Sequence, residues 1–157
     1  MIFFGHLGFS SMGTYLTRKV STSQRSFQHS FRWRYILLFS ILPDIIDKPL
    51  QFIIPAFEVG RSIGHSILGL CILWGIITWK KLSPYYVLSY LVHFICDQQW
   101  EHLPSLLWPL WGVHIYPPEI LTRAEYWQKV FSPIHLLFEL VGIAFLVYIF
   151  RIQREKL

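Results

Sequence analysis

The sequence is poor in charge and in cysteine. Asp, Glu, Lys and Arg together make up only 15% of its 157 residues, whereas soluble domains average about 25%. Its two cysteines, Cys71 and Cys96, lie apart in apolar runs, so neither a disulfide framework nor a C-x-x-C metal motif is available. The chain also lacks a glycine-rich phosphate loop. These absences argue against a soluble protein and against a thiolate zinc site.

Apolar and aromatic residues are abundant instead. Hydrophobic residues make up 54% of the chain and aromatic residues 18%, with seven tryptophans. A bilayer core about 30 Å thick admits only helices or closed barrels, and these runs lack the alternation of barrel strands. We therefore predict an all-α, single-domain membrane bundle (1–157) of about five transmembrane helices, with a Trp/Pro-rich interfacial loop at 103–119. The predicted spans are roughly 2–16, 35–54, 63–79, 84–100 and 133–150.

Positive charge is concentrated in the segment 17–34, in Lys80 and Lys81, and after residue 150. Five crossings would place all three on one side of the membrane, and the positive-inside rule makes that side cytoplasmic. The sequence thus predicts a multi-pass inner-membrane protein with its N-terminus outside and its C-terminus in the cytoplasm. The expected partner is the lipid bilayer. This topology accounts for the net charge of +5 without a nucleic-acid partner; the oligomeric state stays open.

Histidines and aspartates interrupt the predicted spans near their outer ends. In "LVHFICDQQW", His93 and Asp97 are four residues apart and so share one helix face. An unpaired charge in this environment is costly, and a divalent cation would neutralise several carboxylates at once. Nitrogen and oxygen ligands without thiolates suit Zn²⁺ first, with Mn²⁺, Fe²⁺ or Mg²⁺ as alternatives. The predicted metal ligands are His6, Asp44, Asp47, His65, His93 and Asp97.

Simpler explanations exist for each of these residues. His6 would serve equally as a hydrogen-bonding bridge between helices, and the aspartates of "LPDIIDKPL" would pair with Lys48 or Arg61. His93 and Asp97 would also form an orienting hydrogen bond without a metal. His135 and Glu139 repeat the same spacing at the start of the last apolar segment. Whether they belong to the site is left open.

Several short motifs resemble those of the integral-membrane family known as membrane-bound metal-dependent hydrolases. The chain carries "FGHLG", "LPDIIDKPL", "GRSIGHS", "HFICDQQW" and "LLWPLWG". They match in order the G-H, P-D-x-x-D, R-x-x-x-H-S, H-x-x-x-D and L-W-P elements of that family, over nearly the whole chain. The resemblance implies metal-ligand roles for the same six histidines and aspartates.

The first functional hypothesis is a metal-dependent hydrolase of an ester or phosphoester, lipid-linked substrates included, that opens toward the outer leaflet. Asp47 or Asp97 would act as general base, and Arg61 would bind an anionic headgroup or transition state. A second hypothesis is a transporter or channel for divalent cations or protons that uses the same residues. A third is a structural membrane protein in which the polar residues only hold helices together.

Overall fold

The computed structural model of the chain describes residues 3–20, 31–53, 61–112, 128 and 131–154. Over these residues it is helical and contains no strand, which confirms the all-α prediction. The helices are α1 (Phe3–Val20), α2 (Trp33–Ile53), α3 (Ile67–Trp79), α4 (Tyr85–Cys96), α5 (Leu103–Leu106) and α6 (Pro133–Arg154), with a 3₁₀ turn at Gln99–Glu101.

One described helix, α6, is long and apolar enough over Pro133–Gln153 to cross a membrane. Helices α3 and α4 are apolar but have only 13 and 12 residues, about 20 Å at 1.5 Å per residue. Helix α2 has 21 residues but contains Pro43 and Pro49 as well as charged side chains. The five-span arrangement is therefore not confirmed. Of the predicted interfacial loop, residues 113–119 lie outside the described residues.

Helices α1 and α4 occupy the middle of the bundle. Helix α1 packs against α2, α4 and α6, and α4 packs against α2 and α3 as well. The apolar core lies between α2, α3 and α4, where Tyr86 and Tyr90 are fully buried and the Phe39 ring stacks on Tyr86. Many apolar side chains of α3 and α6 are exposed, as expected for a protein whose surroundings are lipid.

Small residues allow α1 and α6 to approach very closely. A Cβ atom added at Gly8 would overlap the carbonyl group of Gly142, and one added at Gly142 would lie 2.5 Å from the carbonyl oxygen of Phe4. Helix association in lipid depends on such close packing because lipid provides no hydrophobic driving force between helices. The two glycines thus fix the position of the N-terminal half of α1.

Replacement of Gly142 by Ala tests this contact, with Gly75→Ala as the matched control because nothing lies within 4 Å of a Cβ at Gly75. We expect Gly142→Ala to lower the free energy of unfolding by about 1–3 kcal/mol, the usual cost of overpacking. Gly75→Ala should leave it unchanged or raise it slightly. Thermal unfolding of the purified variants in detergent measures both; equal melting temperatures for the two variants would contradict the proposed packing.

Candidate metal centre

The structure brings five of the six predicted ligands together at one end of the bundle. The nitrogen or oxygen atoms of His6, Asp44 and His93 lie within 4.8 Å of one another, and so do those of His65, His93 and Asp97. His93 belongs to both groups. The side chains come from the first turns of α1, the second half of α2, the segment before α3 and the end of α4.

His65 and His93 point their Nε2 atoms at each other across 3.1 Å. The Nδ1 atom of His65 lies 2.8 Å from Asp47 Oδ2, and the Nδ1 atom of His93 lies 2.7 Å from the carbonyl oxygen of Ser40. Both acceptors require a proton on Nδ1. In the neutral rings the two Nε2 lone pairs therefore face each other, and both imidazoles are fully buried. This arrangement calls for a cation between them, either a proton or a metal ion.

Asp97 contributes a carboxylate to the same space. Its Oδ2 atom lies 3.7 Å from the Nε2 atoms of both His65 and His93, and its Oδ1 atom lies 3.2 Å from His6 Nε2. The same Oδ2 accepts a hydrogen bond of 3.3 Å from Arg61 Nη2. Asp97 sits at the C-terminal cap of α4, and its side chain is only 7% exposed. One buried carboxylate thus contacts three imidazoles and a guanidinium.

Asp44 forms the more accessible edge of the cluster. Its Oδ1 atom lies 3.8 Å from His65 Nε2, while its Oδ2 atom pairs with Lys48 Nζ at 2.9 Å. The Asp44 side chain is 23% exposed and that of Lys48 is 63% exposed. An exposed pair of this kind contributes little to stability. The pairing of Asp44 with Lys48 that the sequence suggests is therefore present, but it leaves Oδ1 facing the histidines.

Two interactions hold His6 in place: its ring packs on another histidine, and the first turn of α1, which carries it, is capped by a side chain of α6. Its ring stacks on that of His93, with the ring centres 4.1 Å apart. The Glu139 carboxylate of α6 accepts hydrogen bonds from the N–H groups of Phe4 at 2.7 Å and Gly5 at 3.1 Å. It thereby caps α1, whose first N–H groups lack partners within the helix. Glu139 lies outside both ligand groups, and His135 hydrogen-bonds Ser132 at the start of α6 instead.

Asp47 is fully buried and its carboxylate is saturated with hydrogen bonds. Oδ1 accepts from Ser62 Oγ and the N–H of Gly64, and Oδ2 accepts from the N–H of Ser62, the N–H of His65 and His65 Nδ1, at 2.6–3.0 Å. A carboxylate offers about four lone-pair positions. These contacts favour a positioning role: Asp47 fixes the backbone of 62–65 and the orientation of the His65 ring.

The candidate ligand atoms are nitrogen and oxygen only, a set that suits a divalent metal ion. Two nitrogens about 2.05 Å from one ion at a tetrahedral angle would be about 3.3 Å apart, close to the 3.1 Å between the two Nε2 atoms. Metal-binding histidines also usually donate their other N–H to a carboxylate or carbonyl group, as His65 and His93 do. The two rings and the nearby carboxylates thus have the chemistry of a nitrogen- and oxygen-ligated Zn²⁺, Mn²⁺ or Fe²⁺ site.

Several supporting contacts were not predicted from the sequence. The Ser40 carbonyl holds His93, and the buried Gln99 donates from Nε2 to the His65 carbonyl at 3.0 Å. Tyr90 donates to the carbonyl of Gly64. Pro43 gave a partial signal: it lacks an N–H group, so the carbonyl of Phe39, the residue before Ser40, has no donor four residues later in α2.

The role of Asp47 is tested by Asp47→Asn, with Asp44→Asn as the matched control, both in metal-free protein. The amide introduced at position 47 would present an NH₂ group to backbone N–H donors and leave buried donors unpaired. We expect a loss of roughly 3 kcal/mol or more in the free energy of unfolding, against less than about 1 kcal/mol for Asp44→Asn. Denaturant unfolding in detergent provides the measurement, and comparable losses in the two variants would refute the assignment.

Comparison with known proteins identifies a family. The family model described as "YdjM inner membrane protein" matches residues 1–156. No curated protein and no solved structure matches the chain. The match agrees with the membrane location that the composition predicts. The chain belongs to the YdjM inner membrane protein family.

Proposed function

We propose that this protein is a membrane-bound, metal-dependent hydrolase that cleaves an ester bond at one face of the membrane. One observation carries the proposal: His65 and His93 present converging Nε2 atoms beside Asp97, and each ring is locked by an acceptor on its other nitrogen. Buried imidazoles prepared in this way are typical of metal centres. The resemblance of the motifs to metal-dependent hydrolases points to the same chemistry.

In this proposal His65, His93 and Asp97 hold the metal, and His6 and Asp44 complete its surroundings. Zn²⁺ is the first choice of ion, with Mn²⁺, Fe²⁺ or Mg²⁺ as alternatives. When bound, the ion would supply an electrophile that activates water and polarises the ester oxygen. The remaining tasks belong to the protein: to orient these ligands, to accept a proton and to bind the substrate.

Asp44 is the best placed general base. Its carboxylate is partly exposed, with one oxygen paired to Lys48 at 2.9 Å and the other facing His65. A base must reach the proton that it takes up. Asp47, one of the two bases predicted from the sequence, has both oxygens occupied by five donors. Asp97, the other, is almost buried and contacts Arg61 and His6.

The proposed setting is a multi-pass bundle, with the cluster facing the outer leaflet. Two features support this placement: the cluster lies at the end of the bundle formed by the start of α1 and the end of α4, and the basic residues predicted to be cytoplasmic lie at the other ends of these helices, such as Arg18 and Lys19 of α1. A cluster at one end needs access from one face only, which suits an enzyme better than a transport path through the midplane.

The test is to purify the full-length protein in detergent without added metal and to measure its metal content by mass spectrometry. Hydrolysis of p-nitrophenyl butyrate and bis(p-nitrophenyl) phosphate is then followed with and without a chelator. His93→Ala should lose most of the bound metal and at least about a hundredfold in activity, because a metal ligand is removed. His135→Ala is the matched control, since His135 lies outside the cluster and the variant should retain both.

The proposal would be overturned if His93→Ala retained its metal. It would also be overturned if neither the chelator nor this substitution changed the rate of hydrolysis. The transport hypothesis is tested on the same preparation in sealed vesicles. Metal flux that is lost in Asp97→Ala, in a protein without hydrolytic activity, would replace the hydrolase by a transporter.

A further inference from the structure

Two cations stand at the accessible edge of the histidine and aspartate cluster. Arg61 contacts Asp97 at 3.3 Å through one terminal nitrogen, and its side chain is 24% exposed. Lys48 contacts Asp44 at 2.9 Å, and its side chain is 63% exposed. A guanidinium group has five N–H donors arranged in a fixed fork, so the contact with Asp97 leaves most of them for a further acceptor. Each cation thus lies beside a different carboxylate of the cluster and keeps part of its side chain exposed.

The two cations favour a charged substrate. The carbonyl of a carboxylic ester is neutral before it reacts, and it would gain little from two positive side chains. A phosphoester is anionic throughout, and planar guanidinium donors match its oxygens. The charge at this edge therefore selects a phosphoester among the esters that the proposed chemistry allows.

Exposed apolar side chains lie on two elements that adjoin the cluster. The segment 99–112 is tied to the cluster at two points: Gln99 Nε2 donates to the His65 carbonyl at 3.0 Å, and Ser105 Oγ donates to the Arg61 carbonyl at 2.8 Å. Helix α3 begins directly after His65 and Ser66. We call the exposed apolar residues of these two elements the apolar rim: Ile67, Leu68, Trp100, Leu103, Leu110 and Trp111, each at least 40% exposed.

We infer that the substrate is a membrane amphiphile whose phosphoester headgroup is bound by Arg61 and Lys48 while its apolar chain lies along the apolar rim. The inference rests on the proposed function and names its substrate class. Charge complementarity selects the headgroup, and the rim, which is attached to the backbone of both His65 and Arg61, accepts the chain. A freely diffusing phosphate ester would use the cations but would gain nothing from the rim.

Three probes separate these contributions without being hydrolysed: decylphosphonate, methylphosphonate and decanol. Each is titrated against the full-length protein in neutral detergent, with zinc and with chelator, and the shift in melting temperature gives an apparent affinity. We expect decylphosphonate to bind at least about tenfold more tightly than methylphosphonate, because each buried CH₂ group is favourable. Decanol should produce a smaller shift than decylphosphonate at every concentration.

Variants assign the contributions to residues. Arg61→Gln should weaken both phosphonates at least about tenfold, as expected for the loss of charge-assisted hydrogen bonds, and Lys48→Gln, at a well-exposed position, should weaken both to a smaller degree. The double variant Trp100→Ser/Leu103→Ser should weaken only decylphosphonate. Lys80→Gln and Trp79→Ser are the matched controls, because this exposed pair lies at the far end of α3 and should change neither affinity.

The outcomes are distinct. Unchanged phosphonate affinity in both Arg61→Gln and Lys48→Gln would overturn the headgroup assignment, even if the rim variant does not fold. Equal binding of methylphosphonate and decylphosphonate would indicate a soluble phosphate ester and overturn the amphiphile. If zinc binds and a neutral ester is cleaved while no phosphonate binds, the inferred substrate class is wrong but the hydrolase proposal stands. If phosphonates bind but His93→Ala retains its metal, the hydrolase proposal is wrong, and only the binding of the amphiphile by Arg61, Lys48 and the apolar rim stands.

Discussion

Two imidazole nitrogens that face each other at 3.1 Å inside a helical bundle impose a constraint on everything around them. Asp47 and the Ser40 carbonyl hold a proton on the far nitrogen of each ring, so the near nitrogens present lone pairs to each other. Such a contact is unfavourable unless positive charge lies between the rings. Asp97 and Asp44 add negative charge at the same place. The divalent cation that we propose for this site would offset the repulsion between the lone pairs and that between the carboxylates.

The rest of the bundle can be understood as support for this pair. Asp47 organises the segment that carries His65, and the Ser40 carbonyl of α2 holds the ring of His93. The close approach of α1 and α6 at Gly8 and Gly142, together with the Glu139 cap, sets the start of α1 where His6 stacks on His93. Helices without a hydrophobic driving force between them depend on such small-residue contacts and buried hydrogen bonds.

The sequence was sufficient to predict the helical fold class and five residues of the cluster. It did not predict what each of these residues does. The spacing of His93 and Asp97 was sufficient to place both on one face of a helix. Asp47 was indistinguishable from Asp44 in the sequence, because its partners are backbone N–H groups 15–18 residues away, and no residue pattern encodes them. The number of spans was harder still, since α3 and α4 are apolar but only 13 and 12 residues long.

X-ray absorption spectroscopy of the zinc-loaded, full-length protein would test the central claim most directly, because it reports the atoms bound to the ion. We predict a first shell of nitrogen and oxygen only, at about 2.0–2.1 Å, with the outer-shell scattering of at least two imidazoles. That scattering should diminish in His65→Ala. A shell with sulfur at about 2.3 Å, or one without imidazole, would contradict the account.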